Sequence, residues 1–305
     1  MKKTLAVAAF ATFLSFTQMG CIKGMLADGQ IKSTREASGA ADTIADYELA
    51  RNAASAGILQ FEGMHRLRPD NPDALYLLMK TWTSYAYAFA QDDYEVAIVA
   101  GEDDKAEYHK KRAKLAFDRA ISYGIELMGK YAEGFDEAKK KKPALKAWLE
   151  QHFDEKEDID PIYWVGTAWL ARVNLFKDDP DYVAEVYVAV TMLEHVIKVA
   201  PQYADHGAVV GVAAFHARST MAEMDESQKM FEDALAKTKR QVLLHHYNYA
   251  RTYACSKGDK PLYEKLMNEI LSAEDTEPRY RLQNAIAKRK AKRALGKVFM
   301  SDCAW

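Results

Sequence analysis

Proline and glycine are scarce, with 8 and 15 among 305 residues. So few turn-formers disfavour a turn-rich β architecture. With Ala, Leu, Lys and Glu spread throughout, the chain reads as all-α. Neither sign of charge dominates. The formal net charge is −2, without the basic excess that a nucleic-acid binder needs. No Gly-rich loop of the phosphate-cradling kind is present. His65, His109, His152, His195, His206 and His216 form no helical i, i+4 pair. The adjacent His245 and His246 would point about 100° apart on a helix and could not share one metal. Acid pairs such as Asp92 and Asp93, or Asp178 and Asp179, flank prolines or turns and read as caps and solvated loops. No cofactor site and no catalytic constellation follows. An envelope hydrolase would need a carboxylate or nucleophile in a cleft, and the sequence offers no candidate.

Lys2 and Lys3 precede an apolar run, Leu5 to Phe16, which has the length of a signal-peptide core rather than a membrane span. The run ends at Gln18-Met19-Gly20-Cys21. Gly20-Cys21 resembles the lipobox of bacterial lipoproteins, which implies removal of residues 1–20 and diacylation of Cys21. Two buried acyl chains, at about 0.8 kcal/mol per methylene, make a stable anchor. Ile22 rather than Asp after the Cys resembles lipoproteins passed on to the outer membrane. Residues 21–46 carry few large apolar side chains and read as the lipidated N-terminus and a flexible tether, reaching roughly 25–30 Å. Cys255 and Cys303 are then the remaining thiols, and the sequence leaves open whether they pair or stay free.

Residues 47–296 carry helical periodicity and read as one repeat domain, followed by a tail, 297–305. Small and aromatic residues recur in the pattern of second helices of tetratricopeptide units: Gly57, Phe61, Met64 and Pro69; Ala113, Phe117 and Ala120; Ala189, Leu193, Val196 and Pro201; Ser227, Phe231, Ala234 and Leu235. First-helix matches are Leu75, Leu78 and Trp82, then Trp164 and Ala168, then Gly211. The spacing is irregular, broken at 91–108 and 131–160. Paired amphipathic helices that must stack to bury their faces predict an α-solenoid of antiparallel helix pairs. Residues 92–105 read as an acidic interruption, and Lys139 to Lys142 as a solvated turn.

The helix framed by Asp160-Pro161 and Asp179-Pro180 has almost no solvent face. One row holds Trp164, Ala168, Ala171 and Leu175, and a second holds Ile162, Val165, Trp169, Val173 and Phe176. A third, Tyr163, Thr167, Leu170 and Asn174, is apolar with polar tips. Such tips need polar partners or a wet cavity. Trp82, Trp164 and Trp169 read as core. Tyrosines converging from four helices would make an apolar slot with a few hydrogen-bonding groups, the usual build of a small-molecule site. The candidate lumenal group is Tyr85, Tyr163, Thr167, Asn174, Tyr249 and Arg251. Arg172 and Arg251 are the charges placed to meet an anionic head, and for Arg172 an ion pair with a neighbouring helix is the better reading.

The ordered segments RPDNPDALYLLMKTWTSYAYAFAQDD (68–93), KRAKLAFDRAISYGIEL (111–127), DPIYWVGTAWLARVNLFKDDPD (160–181), LEHVIKVAPQYADHGAVVGV (193–212) and RLQNAIAKRKAKRAL (281–295) resemble the TatT family, the tetratricopeptide-like T component associated with TRAP transporters. The resemblance implies a lipid-anchored, all-helical periplasmic protein and a homotrimer in at least some members. It also implies a hydrophobic pore or cleft through each protomer, and association with a substrate-binding P component. The chain departs from the family in the stretch DDYEVAIVAGEDDK and in its Cys303-containing tail. The expected function is ligand sequestration in an inter-helix slot, without catalysis. The alternative is an envelope scaffold that binds peptides on a concave surface over a filled core.

Overall fold

The computed structural model describes residues 24–218 and 223–305. The expected leader, 1–20, and the expected lipidation site, Cys21, lie outside the described residues. Among those described there is no strand, and no helix is long and apolar enough to cross a membrane. The fold is an all-α solenoid.

The helices follow in order: α1 (24–37), α2 (Tyr47–Leu67), α3 (Pro72–Tyr85), α4 (Gln91–Ala100), α5 (Asp103–Gly129), α6 (Phe135–Ala138), α7 (Lys142–His152), α8 (Ile159–Leu175), α9 (Pro180–Val183) and α10 (Val186–Val199). Then come α11 (Gly207–His216), α12 (Met224–Lys237), α13 (Leu243–Asn248), α14 (Cys255–Lys257), α15 (Lys260–Ser272), α16 (Arg281–Ala294) and α17 (Lys297–Met300). Local chemistry sets the starts. The Asp46 carboxylate accepts from the amides of Glu48 and Leu49, and Asn71 from that of Ala74 with Pro72 beside it. Two helices run through π-helical segments: Ala86–Ala90 joins α3 to α4, and Tyr249–Ala254 joins α13 to α14.

The framed helix α8 lies at the centre, packed on α5, α10, α3 and α11. Small residues set its seams. A Cβ at Gly124 would collide with Val165, and one at Gly166 would meet Leu193 at 3.1 Å and Met192 at 3.2 Å. Ile162, Val165 and Ala168 are wholly buried, and Trp169 is buried with its indole N–H donated to Glu185. Trp82 and Trp164 are half-buried against the same core. Arg172 pairs with Asp118 of α5 at 2.7 Å and with Glu185 at 2.6 Å, so its role is the interhelix ion pair.

Two local expectations are corrected. Residues 24–43, inside the stretch expected as a tether, are helical: α1 is followed by a 3-10 turn, Ser38–Thr43. One apolar anchor and several ion pairs hold this segment. Ile31 is buried with Ala74 and Leu77, Arg35 binds Asp73 and Asp160 at 2.6 Å each, and Asp28 binds Arg68 at 2.7 Å. The acidic interruption is narrower than expected. The helix continues to Ala100 and stops at Gly101, whose φ of +70° is the left-handed cap that glycine adopts freely. Elsewhere, the helix that begins at Leu243 runs through the π segment to Lys257 and stops at Gly258. Cys255, in that extension, is bonded to Cys303, 48 residues later.

The ends of the superhelix meet. The 3-10 turn Ser38–Thr43 packs on α16 and on Pro278–Tyr280, and α16 packs on α2 and α4. Between α4 and α16 lies a buried ion cluster. Lys290 Nζ is 2.8 Å from Glu95, Arg289 Nε is 2.7 Å from Asp92, and Arg293 reaches both acids, Asp92 at 2.5 Å. Tyr47 adds a hydroxyl donated to Asp92 at 3.1 Å. Burial alone would raise both carboxylates. Arg293 and Lys290 beside them more than offset that and hold Asp92 and Glu95 below their ordinary values.

Candidate functional site

The polar-tipped row of α8 descends along one face. Tyr163 is buried, edge-on to Trp164 at 5.2 Å and to Tyr203 at 5.1 Å. Its hydroxyl lies over Gly207, where any side chain would collide with it. Burial pushes that hydroxyl up to about 12, with Thr167 beside it. Thr167 and Leu170 follow, each half-buried, and Leu170 meets α11 at Gly211, the point where a Cβ would stand 3.5 Å away. Asn174 ends the row, exposed, and its side-chain oxygen accepts a hydrogen bond from Arg218.

Arg218 follows α11, and its other terminal nitrogen donates to the Arg251 carbonyl at 2.9 Å. It thereby ties the end of α8 to the π segment after α13. The residue is solvent-exposed. Burial, helped by the like charge of Arg251, pushes Arg218 down to about 10.

Two tyrosines meet at Lys290. Tyr87 lies in the π segment after α3. It is half-buried, and its hydroxyl is raised by burial and then by Glu95. Tyr247 lies on α13, two residues before the other π segment. Burial raises its hydroxyl well above the ordinary value, and it is within electrostatic reach of Glu95, Arg251, Tyr87 and Arg218. Lys290 sits over both rings, 4.8 Å from the Tyr87 centroid and 6.0 Å from that of Tyr247. The interior is thus bounded by α8 on one side and, on the other, by the two π-bearing helices backed by the ion cluster. A π segment adds one residue to a turn and re-aims the side chains around it; such segments recur at functional sites.

The structure does not bring the whole expected group together. Tyr163, Thr167 and Asn174 share the α8 face. Tyr85, two residues before Tyr87, is on the opposite side of its helix. It accepts a hydrogen bond from Arg112 at 2.7 Å and packs by Trp82 and Phe89. Tyr249, two residues after Tyr247, is wholly buried and stacked on Phe231 at 4.8 Å. Arg251 holds the C-terminal tail. It donates to the Phe299 carbonyl at 2.8 Å, lies over the Phe299 ring at 4.9 Å, and approaches Asp302 at 3.7 Å. Sequence reasoning missed Tyr87, Tyr247 and Arg218. The available signal was the pairing of tyrosines at i and i+2, which forces one of each pair to the other face of a helix.

Among the described residues no group of three or more His, Cys, Asp or Glu is placed to hold a metal ion. A dent on the outer surface, lined by Asp28, Arg68, Asn71 and Pro72, is occupied by their own ion pair and hydrogen bonds. Comparison with curated proteins returns no match. Residues 43–300, which take in every helix from α2 to α17, match the family described as TRAP transporter T-component. The chain belongs to the TRAP transporter T-component family.

Proposed function

We propose that the protein is a periplasm-facing lipoprotein that takes an apolar or amphipathic small molecule into the space between α3, α8, α11 and α13. It works beside a TRAP substrate-binding P component, to which it docks. Anchoring through Cys21 is read from Gly20-Cys21 and the apolar run before it. Self-association into a trimer belongs to the same reading. Family membership supports the tie to TRAP transport at the cell envelope.

The observation that carries the ligand reading is the polar-tipped α8 row, Tyr163, Thr167 and Asn174 on one face, continued by Arg218 bound to Asn174. A ligand entering there loses water from its apolar part and keeps polar contacts through the tyrosine, threonine and asparagine tips. The test is mass spectrometry of a denatured extract of the purified protein. A stoichiometric lipid-like molecule is expected. An extract with nothing above background counts against the reading.

A further inference from the structure

We propose that an exposed apolar corner, Met25 and Leu26 of α1 with Leu67 of α2, rests on the lipid bilayer and holds the body of the protein against the membrane in one orientation. This rests on the Cys21 anchor proposed above and adds what that anchor does to the folded domain.

Chain length limits the distance. Three backbone steps separate Cys21 from Gly24, where α1 begins. Three Cα–Cα steps span at most about 11 Å. From Gly24 onward the chain is held to the domain: Ile31 is buried with Ala74 and Leu77, Arg35 binds Asp73 and Asp160, and Asp28 binds Arg68. Acyl chains on Cys21 therefore bring the start of α1 within that distance of lipid, well short of the roughly 25–30 Å that a flexible tether would allow.

The surface at that point suits lipid. α1 runs antiparallel to α2, since Asp28 pairs with Arg68 while Ile31 packs by Met64 and Phe61. Gly24 lies against the Arg68 guanidinium, where a Cβ would stand 3.2 Å from Nη1. The start of α1 and the end of α2 thus share one corner. Met25 and Leu26 are 67% and 69% exposed there, and Leu67 is 76% exposed. Large apolar side chains left bare at one place mark an interaction surface, and apolar area of this kind is what seats a surface helix in the headgroup boundary. Lys32, on the same face of α1 as Met25, and Arg66, beside Leu67, are exposed cations that suit anionic headgroups. The carboxylates of Asp28 and Asp70 are answered by Arg68 and Lys130, so neither presents a bare negative charge. Lipid is the partner that the anchor itself delivers to this corner.

The test uses the full lipidated protein in phosphatidylethanolamine–phosphatidylglycerol vesicles that carry a nitroxide-labelled lipid, which quenches a fluorophore only close to the bilayer. Leu67→Cys and Leu49→Cys each supply one thiol for a bimane label, since Cys21 is acylated and Cys255 is bonded to Cys303. Leu49 is exposed as well and lies near the start of the same helix, about 27 Å away at ~1.5 Å per residue. The Leu67 label is expected to lose most of its emission while the Leu49 label keeps its own. Met25→Gln together with Leu26→Gln should restore the Leu67 emission in protein that still floats with the vesicles, and unfolding curves confirm that this variant is folded. Equal emission from the two labels, or quenching that survives the double substitution, overturns the seating and leaves the anchor standing. Protection of the Leu67 label from iodide without quenching by the nitroxide lipid places a second copy of the chain on the corner and overturns the seating as well. Protein that does not float with the vesicles overturns the anchor, and the seating with it.

Discussion

Two walls of the same interior treat charge in opposite ways. On the α4–α16 side, Asp92, Glu95, Arg289, Lys290 and Arg293 are brought together from opposite ends of the chain, and each has an opposite partner. On the α8–α11 side, Arg218 has only neutral acceptors. A paired cluster is complete without a ligand, so its work is to hold the two ends of the solenoid together. Arg218 is exposed and its bonds are to neutral groups, so it links α8 to the π segment after α13 without a buried charge pair.

The largest effect that separates the walls is on stability. Glu95→Ala would leave Lys290, only 1% exposed, with its partner removed. Breaking a buried pair from one side costs about 3–5 kcal/mol. Urea unfolding is expected to show a loss of that size. A loss under about 1 kcal/mol would mean that the cluster does not close the fold. The double variant Glu95→Met with Lys290→Met should lose less than Glu95→Ala, because it strands no charge on either of those two positions.

Acid is the next way to open the closure. Asp92 and Glu95 have folded values below their ordinary 3.8 and 4.5. Their contribution is fully present above the unfolded values and is lost as pH falls through the lowered folded ones. Unfolding free energy should hold above about pH 4.5 and fall below it. The fall should be shallower in Glu95→Ala, which has already lost one of the two groups. The same slope in both proteins would place the acid-sensitive carboxylates elsewhere.

Much of the architecture was legible. Helical periodicity and the small residues that let helices approach gave the solenoid. The framed α8 was legible because prolines and aspartates mark its flanks and its rows repeat at helical spacing. The closure was not. Asp92 and Glu95 look solvated when read alone, and their partners lie about 200 residues later on a helix whose lysines and arginines fit the dipole argument equally well. Residues 24–43 misled because Ile31 is a single apolar anchor in a polar stretch, and the ion pairs that fix it are long-range. The turn Ala204-Asp205-His206 gave no signal either. All three residues are left-handed, with φ between 49° and 66°, a conformation usually reserved for Gly or Asn. Tyr280 donating to Asp205 at 2.7 Å helps to hold it.

The tyrosines show the limit of reading a site from composition. Tyr85 and Tyr249 and their neighbours Tyr87 and Tyr247 are chemically identical, and the choice between them depends on helix phase across two π segments. The α8 row needed no such phase information, since it lies within one regular helix.

Asn174 joins the row to Arg218, so it tests the central claim most directly: that the α8 face lines a ligand site rather than a core. The measurement pairs the unfolding free energy of Asn174→Leu with the amount of co-purified molecule retained per folded protein. Asn174 is exposed, so the predicted stability change is within about 1 kcal/mol, with a marked loss of ligand. A variant that unfolds, or that retains as much ligand per folded molecule as wild-type protein, would contradict the account.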